Sequence, residues 1–305
     1  MSIMSAVRTR LSVKISLTLA AVLLVLTALA ATYITSHETR QMEEMTLEKA
    51  RLSATIGARQ FGDILDGAID NGALTVNDVF DRHYVEIKGF NWGTKPKYHT
   101  RYDSWVEPAA LVFEDKFLEH EDFVYAVGVD ENGYLPAHNT RYQKPLTGDA
   151  EKDLTGNRTK RIFDDPVGIA AAKNQEQSFL QVYKRDTGET MWDVSSPIYV
   201  KGKHWGGFRI GVSMERVEAR KRTLLASLAA IFAVFVAVTI ATMFLVIGRA
   251  MKPVVALTEA AHQISLGDGL DTPIKSASED EIGRLTKSIE RLRASMKAAM
   301  SRLGQ

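Results

Sequence analysis

The residues best suited to hold a small polar molecule lie in the middle of the chain: Tyr125, His138, Arg158, Arg161, Tyr183, Trp192, Asp193 and Arg209. Aromatic walls with a few placed charges can orient a polar ligand, and the two-pronged donors of arginine suit a carboxylate. The competing reading of Arg158, Lys160 and Arg161 is a solvated basic loop, and that of the tyrosines and the tryptophan is core packing. No catalytic pattern accompanies them. The sequence lacks Gly-x-Ser-x-Gly, His-Glu-x-x-His and a phosphate-binding glycine loop. Asp164-Asp165, directly before Pro166, reads as a turn and not as a carboxylate pair. The expectation is therefore a binding protein without catalytic residues; a membrane-tethered extracytoplasmic enzyme is the alternative from another class.

Cysteine is absent, which removes disulfides, thiolate zinc sites, cysteine nucleophiles and thioether-attached haem together. Noncovalent haem through His138 or His204 stays open, but a lone histidine is more often a surface or hydrogen-bonded residue, and no cofactor or metal is expected. With 305 residues and a formal net charge of +1, the composition is that of a globular protein and gives no reason to expect nucleic acid.

The elements that must position these residues read as strands with helices before them. Phe123 to Asp130 is a short apolar run closed by a turn at Asp130-Glu-Asn-Gly133. Phe179 to Arg185, Asp186-Thr-Gly188 and Thr190 to Val200 form a hairpin, Lys201-Gly-Lys203 makes the next turn, and His204 to Met214 is the last strand. In that strand Phe208, Ile210 and Val212 share one face while Gly207, Arg209 and Gly211 share the other. One face packs, and the other is open to a ligand. Before the strands, Trp105 to Glu119 reads as a helix, and residues 37–80 as a long helix interrupted at Gly62, Gly67 and Gly72.

Two uncharged apolar runs bracket this region, Ile15 to Ser36 and Thr223 to Gly248. As a helix the first covers roughly 33 Å, enough for a hydrocarbon layer of about 30 Å. A cleaved signal peptide is the alternative, with Ala28-Leu-Ala30 as its cleavage site, but such apolar cores run only about 7 to 15 residues. Arg8, Arg10 and Lys14 place the N-terminus inside. The expected division is a cytoplasmic N-terminus at 1–14, spans at 15–36 and 223–248, an extracytoplasmic domain at 37–222 and a cytoplasmic tail at 249–305.

In the tail a new helix is expected near Pro253, since proline is tolerated in a first turn. Val254, Leu257, Ala261 and Ile264 form a narrow apolar stripe; Leu266-Gly-Asp-Gly-Leu270 and Pro273 make a connector; and Ile282, Leu285, Ile289, Leu292 and Met296 form a second stripe behind the acidic start Ser278-Glu-Asp-Glu281. Two such stripes are buried economically by a parallel dimer of four helices. This tail resembles the HAMP linker family in its proline after a span, its glycine connector and Asp280-Glu281-Ile282-Gly283 opening the second helix. The resemblance implies a signal relay carried by Pro253, Leu257, Ile264, Leu270, Ile274, Glu281, Ile282, Leu285 and Ile289. A passive coiled-coil dimeriser is the blander reading of the same heptads.

Tyr125-Ala-Val-Gly-Val-Asp130, Leu135-Pro-Ala-His-Asn139, Asn157-Arg-Thr-Lys-Arg-Ile-Phe163 and Trp205-Gly-Gly-Phe208 look like segments of methyl-accepting chemotaxis proteins with a Cache (extracellular PAS-like) sensor. The implied fold class is α+β: an antiparallel-sheet Cache/PAS-like domain with long N-terminal helices, two transmembrane helices and a dimeric four-helix HAMP coiled coil. The implied protein is a homodimeric receptor in the bacterial inner membrane, binding a small molecule outside. No kinase, cyclase or signalling hairpin follows the relay, so the expectation is either the sensory half of a chemotaxis transducer or a subunit that regulates a separate histidine kinase or nucleotide cyclase.

Overall fold

The structure, a computed structural model, describes residues 10–89, 92, 94–185, 188–275 and 278–303. Arg8 and the Asp186-Thr187 part of the expected hairpin turn lie outside the described residues. The chain divides into two compact units, Ser36–Leu225 and Met1–Thr35 with Ala226–Gln305.

Helix α1 (Leu11–Asp70) enters the first unit at Ser36 and is followed by a single turn, α2 (Val76–Val79), whose Thr75 and Asp78 form a capping box. Strands β1 (Val85–Glu86) and β2 (Tyr98–His99) pair with each other, and helix α3 (Asp103–Phe117) leads into the sheet. That sheet joins β3 (Phe123–Asp130), β6 (Phe179–Lys184), β7 (Thr190–Val200) and β8 (Lys203–Ser213), antiparallel in the order β3-β8-β7-β6. Short strands β4 (Tyr134–Leu135) and β5 (Arg161–Ile162) pair separately, and helices α4 (Ala150–Gly156) and α5 (Pro166–Lys173) flank β5.

One face of the sheet is closed by helices. From Ser36 onward, α1 presents Ala50, Ala54, Ala58, Phe61, Leu65 and Ala68 at helical spacing, all buried, against Val194, Ile198, Phe208, Ile210 and Val212. Phe61 lies 5.2 Å from the ring of Trp205, and Phe113 of α3 stacks on Phe208 at 5.8 Å. Each such side chain, once fully buried, contributes about 1.5 to 3 kcal/mol.

Gly62 and Gly67 do not interrupt α1, contrary to expectation; the helix runs through both to Asp70. For Gly62, as for Gly57, the reason for a glycine is proximity. A Cβ on Gly62 would lie 2.6 Å from the Tyr199 carbonyl oxygen, and one on Gly57 would lie 2.1 Å from the Phe208 ring, so these glycines let the helix press onto the sheet. Gly72 does end the segment, at φ +75°.

Helix α6 (Met214–Ser265), which starts in the first unit and continues into the second, contains Pro253 in its interior, so no new helix starts there. Proline removes one amide and one intrahelical bond, and the bonds of the turns on either side carry the helix through. Helix α7 (Glu281–Leu303) is capped by Asp280, whose Oδ1 accepts the amides of Ile282 at 2.9 Å and Gly283 at 3.1 Å. A Cβ on Gly283 would fall 1.8 Å from the Ser278 carbonyl oxygen, which explains a glycine at that point.

Candidate functional site

The face of the sheet away from α1 carries a cavity of about 590 Å³, inside the range of roughly 300 to 1,000 Å³ typical of small-ligand pockets. Its floor is the alternate face of β8. Gly211 lacks a Cβ where the Tyr125 ring would be 2.2 Å away, and Gly207 lacks one where the Ala171 carbonyl oxygen of α5 would be 2.4 Å away. Tyr125 and α5 can therefore lie directly on the strand, with Arg209 rising between them. Val127 of β3 and Ser195 of β7 are its cross-strand neighbours.

Arg209 is held from below. Its Nε donates to both carboxylate oxygens of Asp193, at 3.0 and 3.2 Å, with both side chains buried. Asp193 Oδ1 also accepts the Tyr125 hydroxyl at 2.7 Å, and Tyr125 and Tyr183 share a hydrogen bond of 3.2 Å. Burial opposes the arginine's charge, but Asp193 and the phenolic oxygens around it outweigh that and raise its pKa. Burial first, and then Asp193, push the Tyr125 hydroxyl well above its ordinary range, so it stays a donor.

The walls come from outside the sheet. Arg185 sits over the Tyr142 ring at 4.7 Å and donates to its hydroxyl at 3.0 Å. His138 packs edge-on to Tyr125 at 6.5 Å; burial, followed by Arg158 and Arg185, drives its pKa well below 6.5, so the ring is neutral. The roof is the segment 157–163. Arg158 lies over Phe163 at 5.7 Å, and Arg161 donates to the carbonyls of Leu154 at 2.7 Å and Asp153 at 3.0 Å. Lys97 ties this segment down: its buried Nζ donates to the Asn157 and Thr159 carbonyls and to Asn157 Oδ1 at 2.6 to 3.1 Å. Burial, with Arg161 and Lys160 nearby, lowers the Lys97 pKa to about 7.

Of the eight residues singled out in the sequence, six line the cavity: Tyr125, His138, Arg158, Arg161, Tyr183 and Arg209. Asp193 lies behind Arg209 as its counter-ion. Trp192 is the correction: in the alternation of β7 it points to the other face and packs against the α1 core, because its neighbours Met191 and Asp193 take the cavity side. Sequence reading missed Arg185, Tyr142 and Lys97; the Arg185-Asp186 step at a hairpin end looks like ordinary turn polarity, and nothing local marks the other two. His204 is remote from this cluster and bonds to the Asn174 carbonyl at 3.0 Å. Among the described residues no group of three or more His, Asp or Glu side chains is placed to hold a metal.

In the tail, Leu257 and Ile264 are buried, while Leu270, Ile274, Ile282 and Ile289 are half-buried. The connector is pinned to α7 by polar contacts: the Ile274 amide donates to Glu290 at 2.9 Å, Arg293 pairs with Glu290 at 2.6 Å, and Arg293 also donates to the Leu270 carbonyl. The Arg293 and Ile274 hydrogen bonds hold the Glu290 pKa at about 2. Glu281 pairs with Arg284 on the surface at 3.0 Å, and Leu285 is exposed.

Residues 245–298 match the model of the HAMP domain. No curated protein matches the chain. Two helices, α1 and α6, are long and apolar enough to cross a membrane, and they flank the sheet domain. Two such helices around a sheet domain, with a HAMP domain that begins within the second at residue 245, support a HAMP-containing transmembrane signalling receptor.

Proposed function

We propose that this receptor senses an extracytoplasmic small molecule in the β8 cavity and relays its binding through α6 to the HAMP domain. One observation carries the reading: Arg209 stands on the floor of the cavity in β8, the strand whose last residue, Ser213, is followed directly by α6. A ligand that binds two arrangements of β8 unequally biases whatever α6 transmits, and coupling of about 1 to 3 kcal/mol is typical. The antiparallel sheet, the preceding helices and the quoted segments support a Cache/PAS-like sensor of the chemotaxis-receptor kind. The sensor faces the periplasm, and the chain sits in the bacterial inner membrane.

The working unit is a homodimer that passes its signal to a cytoplasmic partner. Leu285 and Leu292, one heptad apart on α7, are 44% and 67% exposed in a single chain, which supports a second copy against them. The role is binding without catalysis: the polar groups lining the cavity are arginines, lysines, tyrosines, Thr94, the neutral His138 and Asp165, whose carboxylate caps α5, and this set among the described residues holds no serine or cysteine nucleophile. Thermal-shift screening of the full chain in nanodiscs tests the reading, since a ligand of the native state raises its apparent stability. Saturable stabilisation that also alters cross-linking between cysteines placed in the tail is expected. Stabilisation without any change in the tail would refute the relay.

A further inference from the structure

Arg209 is 6% exposed, and its only hydrogen bonds among the described residues run from Nε to Asp193. Among the described residues its two terminal nitrogens therefore have no hydrogen-bond acceptor, although the side chain lines the cavity. Asp193 fixes the guanidinium from behind and leaves its outer edge, a planar pair of donors, facing inward. That edge matches a carboxylate.

The acidic groups argue against a cationic ligand. Asp193 is fully buried and already accepts from Arg209, Tyr125 and, at 3.4 Å, the Gln181 amide nitrogen. Asp165, the one acidic residue in the lining, is exposed at the start of α5, where its Oδ1 accepts the amides of Val167 and Gly168 at 3.1 and 3.0 Å. Against it stand six cationic lining residues. An ammonium placed beside a carboxylate on Arg209 would meet a lining in which cationic side chains outnumber the single carboxylate, Asp165. Between these cations the lining supplies apolar side chains, with Val127, Val129 and Leu135 buried and Ile162, Phe163 and Val167 half-buried.

We infer that the cavity takes a carboxylate joined to an apolar body and lacking an amino group, an aromatic or branched-chain acid and not an amino acid. The inference rests on the receptor reading above and names the ligand class for that site. It extends to specificity: the carboxylate binds Arg209, the apolar body fills the space under Phe163, and the cationic rim rejects amines.

The test is isothermal titration of the full chain in nanodiscs with matched sets: phenylacetate, indole-3-acetate and isovalerate; phenylalanine, tryptophan and leucine; phenethylamine; and inorganic phosphate. At least one acid is expected to bind at least tenfold more tightly than its amino-acid partner, with no binding of the amine or of phosphate. The paired substitution Arg209→Gln with Asp193→Asn removes the fork without stranding a buried charge, and should weaken that acid by about 30-fold. Should the pair fail to fold, Val167→Trp, which fills the cavity from its half-buried edge, should abolish binding instead. An amino acid or amine binding as tightly as its matched acid would overturn the ligand class while leaving the receptor reading intact. If none of the probes binds below about 1 mM, the class is overturned. If a broad screen then also yields no ligand, the small-molecule reading falls with it.

Discussion

Ser213 joins Glu189, at the β6–β7 hairpin, to the first turn of α6: its hydroxyl donates to the Glu189 carboxylate and accepts the Arg216 amide at 3.3 Å. Arg185 stands four residues before Glu189, and its amide donates to the Glu189 carbonyl at 2.8 Å. A cavity residue, a hairpin and the N-cap of α6 are thus linked by consecutive contacts. Glu189→Ala is expected to leave ligand affinity within about twofold and to abolish the ligand-dependent change in tail cross-linking. Equal loss of affinity and response would mean that Glu189 only supports the fold. The chain has no cysteine, so introduced ones report without background.

The Arg209–Asp193 pair should show strong coupling in stability. Arg209→Ala leaves a carboxylate buried and uncompensated, at a cost of about 3 to 5 kcal/mol. Replacing both partners, Arg209→Gln with Asp193→Asn, should recover most of that loss. Chemical denaturation of the wild type, Arg209→Gln, Asp193→Asn and the double variant closes a double-mutant cycle that measures the coupling, and additive effects would contradict the buried pairing.

Gly62→Ala places a methyl group 2.6 Å from the Tyr199 carbonyl oxygen. Because the obstacle is backbone, the helix must lift from the sheet, and a loss of about 1 to 3 kcal/mol is expected in thermal unfolding. Gly67→Ala has nothing within 4 Å of the new carbon and should be neutral or slightly stabilising through helix propensity, by up to about 1 kcal/mol.

Lys97 gives the sheet domain a defined pH dependence. Its pKa falls from 10.5 in the unfolded chain to about 7 in the fold, so between those values the unfolded state holds a proton that the folded state lacks. Stability therefore rises with pH from about 7 toward 10.5, and this residue contributes no slope below 7. Lys97→Met should flatten the rise measured by denaturation at pH 7, 8 and 9. An unchanged slope would assign the effect elsewhere.

If the proposed homodimer forms through α7, Leu285→Glu with Leu292→Glu converts it to monomer in light scattering of the detergent-solubilised chain, with the sheet domain still folded. A chain that is monomeric before substitution would refute the dimeric relay.

The sequence alone determined the elements whose signal is local. Alternation in Phe208 to Val212 assigned both faces of β8 correctly, and the long uncharged runs marked the two helices long and apolar enough to cross a membrane, because side-chain period and run length are properties of neighbouring residues. The HAMP tail was legible for the same reason: its stripes and Asp280-Glu281-Ile282-Gly283 are short-range patterns. Tertiary structure decided what depends on distant approach. Gly62 reads as a breaker until Tyr199, more than a hundred residues later, is brought against it, and Pro253 reads as a start until the helix is seen to continue through it. Trp192 and Asp193 are adjacent and equally attractive as ligand contacts; only the placement of α1 on one face of the sheet sends one into the core and the other behind Arg209. Arg185, Tyr142 and Lys97 gain their roles from partners on separate segments, because a cavity is enclosed by contacts that no local periodicity encodes.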